Sequence, residues 1–124
     1  MVADWAKQAY RDAAARRIDA EGVLDDIAAR RERAAAVNAP DVETRRALEL
    51  YLSRLDDEFR AQEAVVAILR QEEDRELANW IDKRRDAEAF QKLHDAEKEV
   101  WRLESDRKLQ AELDEWGINR RPAA

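Results

Sequence analysis

Ala6, Tyr10, Ala13, Arg17, Ala20, Leu24, Ile27, Arg31 and Ala34 follow an unbroken four-three spacing. That is one seam of a heptad helix. Two seam positions are arginines, whose aliphatic stems can lie along the seam while the guanidinium reaches water. Most of the others are alanines, which let backbones approach closely but bury little surface. A second seam of the same period, much more apolar, runs through Leu48, Leu52, Leu55, Phe59, Gln62, Val66 and Leu69. After Leu69 the phase slips through Glu73 to Leu77, Trp80, Arg84 and Ala87. It re-forms as Phe90, Leu93, Glu97, Val100 and Leu103, a stutter that locally unwinds a coiled coil without breaking it.

Between the two seams stands Asn38-Ala39-Pro40-Asp41. Asn38 tolerates the left-handed conformation that ends a helix, and Pro40 cannot continue the hydrogen-bond ladder. Asp41 can cap the next helix through its carboxylate, or Pro40 can occupy its first position. No Gly or Pro follows until Gly117, which suits the residue after a helix end, with Leu113 and Ile118 in the places of a terminal apolar contact. The pattern therefore predicts an all-α, antiparallel two-helix coiled-coil hairpin with unequal arms: a helix over 2–37, a turn at 38–41, a helix over 41–116 and a frayed tail over 117–124. Gly22, inside the first helix, predicts a close crossing or a soft spot. A turn near Asn79 would instead give a three-helix, spectrin-like bundle, although 75–85 holds no helix breaker.

At about 1.5 Å per residue the two arms would measure roughly 54 and 114 Å, so the first helix covers the second only to about Leu77. The stretch beyond carries Trp80, Phe90, Leu93, Val100, Trp101, Leu103 and Trp116. An apolar series of that kind calls for a protein partner along the second half of helix two, or for a second copy of the chain.

Composition supports the helical reading: 42% charged and 45% apolar residues, with 2 Gly and 2 Pro, as in long helices and coiled coils. Acidic residues precede basic ones by four at Asp12 and Arg16, Asp26 and Arg30, Asp41 and Arg45, Asp56 and Arg60, Glu88 and Lys92, and Glu104 and Lys108. This is the arrangement of a solvated helix face. The net charge of -6, from 23 basic and 29 acidic residues, is interspersed rather than gathered in a basic stripe, which argues against nucleic acid. Without cysteine there is no disulfide framework and no zinc-thiolate site. Met1-Val2-Ala3-Asp4-Trp5 carries no basic, apolar leader, and no run has the length of a membrane span, so a cytoplasmic location is expected.

Chemistry is absent from the pattern. His94 is the only histidine and has no second imidazole or converging carboxylates, so it reads as a surface or seam residue rather than a metal ligand. Ser53 and Ser105 lack a neighbouring base, and no Gly-rich phosphate loop occurs. No catalytic residue, metal or cofactor is expected, and the chain reads as a non-enzyme.

Several pieces of the second helix resemble the flagellar export protein FliJ family and its injectisome counterpart, the YscO family. They are Trp80 with Lys83-Arg84-Arg85, Ala89-Phe90-Gln91-Lys92-Leu93, and Leu103 followed by Asp106-Arg107-Lys108-Leu109-Gln110. The last is Leu113-Asp114-Glu115-Trp116, ahead of the basic tail Arg120-Arg121-Pro122. Tyr51-Leu52-Ser53-Arg54-Leu55 is similar to the start of the family's second helix, so the likeness spans roughly residues 45 to 122. The first helix is shorter than the family's and lacks its apolar start. The resemblance implies a non-catalytic central stalk of a type III export ATPase, coupling it to the export gate. It makes Trp80, Trp101, Leu113 and Trp116 candidates for the ATPase ring, and Tyr51 and Leu55 candidates for the gate side, with Phe90 a further partner-binding candidate from the uncovered stretch. The alternative is a structural coiled-coil assembly or scaffold protein, homo-oligomeric or phage-related.

Overall fold

A computed structural model of the chain describes residues 2–120, with side chains described as far as 117. Two helices make up nearly all of it, α1 (Val2–Ala35) and α2 (Val42–Arg120), with no strand among the described residues. α2 is unbroken through 75–85, which removes the three-helix bundle: with neither Gly nor Pro there, nothing offsets the loss of consecutive backbone hydrogen bonds that a turn would require.

The connection is longer than the sequence predicts. α1 stops at Ala35; the Ala36 N–H still donates to the Glu32 carbonyl at 3.2 Å, and the Val37 N–H to the Ala34 carbonyl at 3.1 Å. The second of these spans three residues rather than four, the usual tightening of a last turn. Among the described residues none has a positive φ, so Asn38 does not use the left-handed conformation. The start of α2 decides between the two capping options. The Thr44 N–H donates to Asp41 Oδ1 at 2.7 Å, and the Arg45 N–H donates to the Asp41 carbonyl at 3.1 Å. Asp41 is thus the N-cap, and Pro40 stands outside the helix. Hydrogen bonds from Thr44, side chain first and backbone second, hold the Asp41 carboxyl below its usual range.

By its contacts the chain divides into two units, 1–83 and 84–124. In the first, α1 packs against the opening half of α2. The buried residues of α1 are Ala6, Ala13, Ala20, Ile27 and Ala34, one every seven residues, which is the heptad period with no drift. Facing them, Leu55 and Val66 are buried, while Leu48, Leu52, Phe59, Gln62, Leu69 and Leu77 are half-buried. Leu55, 1% exposed, is the only large side chain fully enclosed among the described residues. Four small alanines and one isoleucine leave little area to remove from water, so polar groups bridge the helices between apolar layers. Gln62 Nε2 donates to the Ala20 carbonyl at 3.0 Å. Arg17 pairs with Glu73 and with Glu21, and Arg70 reaches Glu21 at 2.7 Å. The Arg70 hydrogen bond is the main reason the Glu21 carboxyl is held below its usual range. Arg31 joins Asp56 at 2.5 Å, lowering the Asp56 carboxyl.

Bridges of this kind take members of two of the predicted surface pairs, Arg16 and Asp56. None of the six acid-first pairs closes to an ion pair among the described residues. Arg16 turns to Glu72 at 3.4 Å, Asp12 accepts from Gln8 at 2.9 Å, and Asp56 goes to α1 rather than to Arg60. A partner on the facing helix meets the side chain in less open solvent than a neighbour one turn away. Cover also extends beyond Leu77, because the Tyr10 ring stacks on Trp80 with centroids 5.7 Å apart and planes 19° from parallel. Lys7 Nζ lies 5.8 Å from the Trp80 ring centre, an attractive placement for an ammonium over an indole face.

The second unit is the remainder of α2. From 84 to 117 every residue but Ser105 is exposed. Its polar contacts include pairs one turn apart: Gln91 with Asp95, Arg84 with Glu88, Arg102 with both Glu99 and Asp106, and Gln110 with Asp114. Gly117 does not end the helix. Its φ is not positive, and the helix runs on to Arg120, so the predicted stop at 116 is not made. The Ile118 side chain and residues 121–124 lie outside the described residues. Gly22 marks no close crossing either, since a Cβ there would meet nothing within 4 Å.

Candidate partner-binding surfaces

The residues with partner-binding promise in the sequence fall into three environments. Leu55 is hairpin core and offers no contact surface: it sits at the seam position facing the α1 alanines. Trp80 is half-buried beneath Tyr10 and Lys7, part of the packing between α1 and α2 rather than of a bare helix face. Tyr51, four residues before Leu55 and therefore one turn away at the edge of the seam, remains 41% exposed.

Phe90, Trp101, Leu113 and Trp116 are all exposed, Phe90 at 73% and Trp101 at 70%. Leu93, Val100, Leu103 and Leu109 are exposed beside them in sequence. At about 100° per residue, Leu93 and Val100 fall on one side of the helix and Leu109, Leu113 and Trp116 on the opposite one. Phe90 and Trp101 lie between them on one flank, and Leu103 on the other. Within 84–117, large apolar side chains thus stand in water around the whole circumference. Arg102 bridges Glu99 and Asp106 beside Trp101, and its hydrogen bond lowers the Glu99 carboxyl. A shallow groove of about 410 Å³ runs along this flank of the indole between Asp95, Lys98, Glu99 and Arg102.

Two clefts flank the turn end of the hairpin. One, of about 540 Å³, is lined by Ala28, Arg31, Glu32, Ala35, Asp56 and Phe59. The other, of about 450 Å³, is lined by Arg30, Arg33, Ala34, Val37, Leu48 and Tyr51. The family resemblance singled out Tyr51 but passed over Arg30 and Arg33. Their signal was a cluster of arginines at 30, 31 and 33, of which only Arg31 is on the seam. Trp5, 79% exposed, was also passed over, being one place off the seam at Ala6.

Among the described residues no group of three or more His, Cys, Asp or Glu side chains could hold a metal ion, and no helix is long and apolar enough to cross a membrane.

A search of curated proteins and a search of solved structures each return no match to this chain. The family model described as Flagellar FliJ protein matches residues 3–121. That match takes in α1, which the likeness seen in the sequence, confined to about 45–122, left out. It agrees with a two-helix hairpin whose first arm begins at Val2. The chain belongs to the flagellar FliJ protein family, and so to the coiled-coil proteins of flagellar, type III export.

Proposed function

We propose that this chain is a non-catalytic stalk of a flagellar export ATPase, with residues 84–117 inside the ATPase ring and the turn end of the hairpin toward the export gate. It would work in the cytoplasm, as a partner of the export apparatus. One observation carries the reading: the exposed apolar side chains of 84–117 surround the helix. Large apolar side chains exposed all round a helix are taken out of water only by a partner that encloses it. A single flanking helix, as in a homodimeric zipper, covers one seam and would leave either the Leu93 and Val100 side or the Leu109 and Trp116 side wet. A ring covers both.

The test is association of the full chain with the export ATPase and the stimulation of ATP hydrolysis. Trp101→Ala removes an exposed indole and should weaken association by about tenfold or more, the usual loss at an aromatic anchor. Undiminished association would remove Trp101 from the interface. A chain that self-associates through 84–117 and leaves the ATPase rate unchanged would favour a structural coiled-coil scaffold instead.

A further inference from the structure

The cleft between Arg30, Arg33, Ala34, Val37, Leu48 and Tyr51 is lined by two cations and no carboxylate. The chain as a whole carries a net charge of -6, and the interhelical arginines Arg16, Arg17, Arg31 and Arg70 are each matched to a carboxylate. Arg30 and Arg33 are not: among the described residues neither makes an ion pair, and no carboxylate lines their cleft. The neighbouring cleft supplies the contrast. There Arg31 is neutralised by Asp56 on the wall itself.

Arg33 lies in the last turn of α1, where a cation offsets the partial negative charge of the exposed carbonyls. One arginine accounts for that role, and Arg30 lies a turn earlier. Between the two guanidiniums and the half-exposed Tyr51 the floor is apolar, made of Ala34, Val37 and Leu48. Two forked cations over an apolar floor recognise carboxylates spaced around an apolar anchor. A phosphate polymer or a lipid surface would need a larger basic cluster and no floor.

We infer that the Arg30, Arg33 and Tyr51 cleft is a docking site for an acidic segment of a protein partner, with an apolar side chain seated on Val37 and Leu48 and carboxylates on the two arginines. The site deepens the gate-side half of the stalk reading and is independent of the ATPase-facing half.

The experiment is fluorescence anisotropy of the full chain with a labelled peptide in which glutamates flank a Leu-Phe pair. Two controls replace the glutamates with glutamines or with lysines. The acidic peptide should bind, weakening as salt rises, and the controls should bind at least about tenfold more weakly, the loss of one or more charge-assisted hydrogen bonds. In the Arg30→Glu, Arg33→Glu double variant the preference should reverse, with the lysine peptide now favoured. Tyr51→Ala should weaken the acidic peptide without reversing the preference. Both arginines are exposed and without ion pairs, and far-ultraviolet circular dichroism checks that the variants stay helical.

Equal binding of the three peptides, or an unchanged preference in the double variant, overturns the inference. So does binding to vesicles of anionic lipid, lost in the double variant, with no binding of the acidic peptide. ATPase stimulation, measured in parallel, reads the other half of the stalk reading. Stimulation retained by the double variant but lost by Trp101→Ala separates the two sites, whereas loss of stimulation in the double variant overturns their independence.

Discussion

Residues 2–83 and 84–117 have similar charge patterns and the same helical conformation, yet they hold themselves together differently. In the first region arginines reach across to the facing helix, Arg17 to Glu73 and Arg31 to Asp56, and Leu55 is enclosed. In the second the ion pairs join residues three or four apart, such as Arg102 with Glu99 and Asp106, and the large apolar side chains are exposed. The first region stabilises itself through tertiary packing. The second is held helical by local propensity and by side-chain pairs one turn apart, and its apolar surface stays exposed. Deletions from the two regions should therefore have opposite signatures.

The largest contrast is between Leu55→Ala and Leu93→Ala. Leu55→Ala leaves a cavity at the one fully enclosed large side chain and should cost about 2–5 kcal/mol, read as a lowered thermal midpoint by circular dichroism. Leu93→Ala, at an exposed position, should stay within about 0.5 kcal/mol. Equal losses would mean that 84–117 is packed within the chain. Next come the tryptophans. Trp80→Ala removes the stack on Tyr10 and should cost about 1–3 kcal/mol, with a matching loss of near-ultraviolet dichroism, whereas Trp101→Ala should leave the midpoint unchanged.

Smaller and opposite in sign, Gly22→Ala should raise the midpoint by about 0.5–1 kcal/mol of stability. The site is helical, and a Cβ there meets nothing within 4 Å. A loss would reveal a contact at that face.

The smallest effect is that of pH. Arg70 and Arg31 hold the Glu21 and Asp56 carboxyls below their usual range in the folded hairpin. Their contribution is present above the unfolded carboxyl values, about 4. It is lost as pH falls through the lower folded ones. Below about pH 4 the Tyr10–Trp80 signal should fade before the helical signal does. Simultaneous loss of both would show that the two regions melt as one.

Much of the hairpin was legible in the sequence because a seam repeats. The seven-residue recurrence of Ala6, Ala13, Ala20, Ile27 and Ala34 predicts the buried line of α1 position by position. What repetition could not convey was reach. Tyr10 and Lys7 extend cover to Trp80, past the limit set by counting residues along the axis. Asp56 likewise finds Arg31 across the hairpin rather than Arg60 along its own helix. For the same reason Leu55, read as contact surface, is core. A seam residue and its neighbour one turn away look alike in a list of apolar positions but differ in which side of the helix they present.

The sequence by itself determined two helices, one turn and the family, because heptad spacing, helix propensity and the Asn-Ala-Pro-Asp break are local and repetitive. Tertiary structure alone decided which charges pair, since that depends on distances across the hairpin. It matched Arg31 to a carboxylate, left Arg30 and Arg33 without one, and capped α2 with Asp41 rather than Pro40. It also carried the helix through Gly117, where sequence predicts a stop, because a glycine ends a helix only when its backbone turns left-handed, and this one does not.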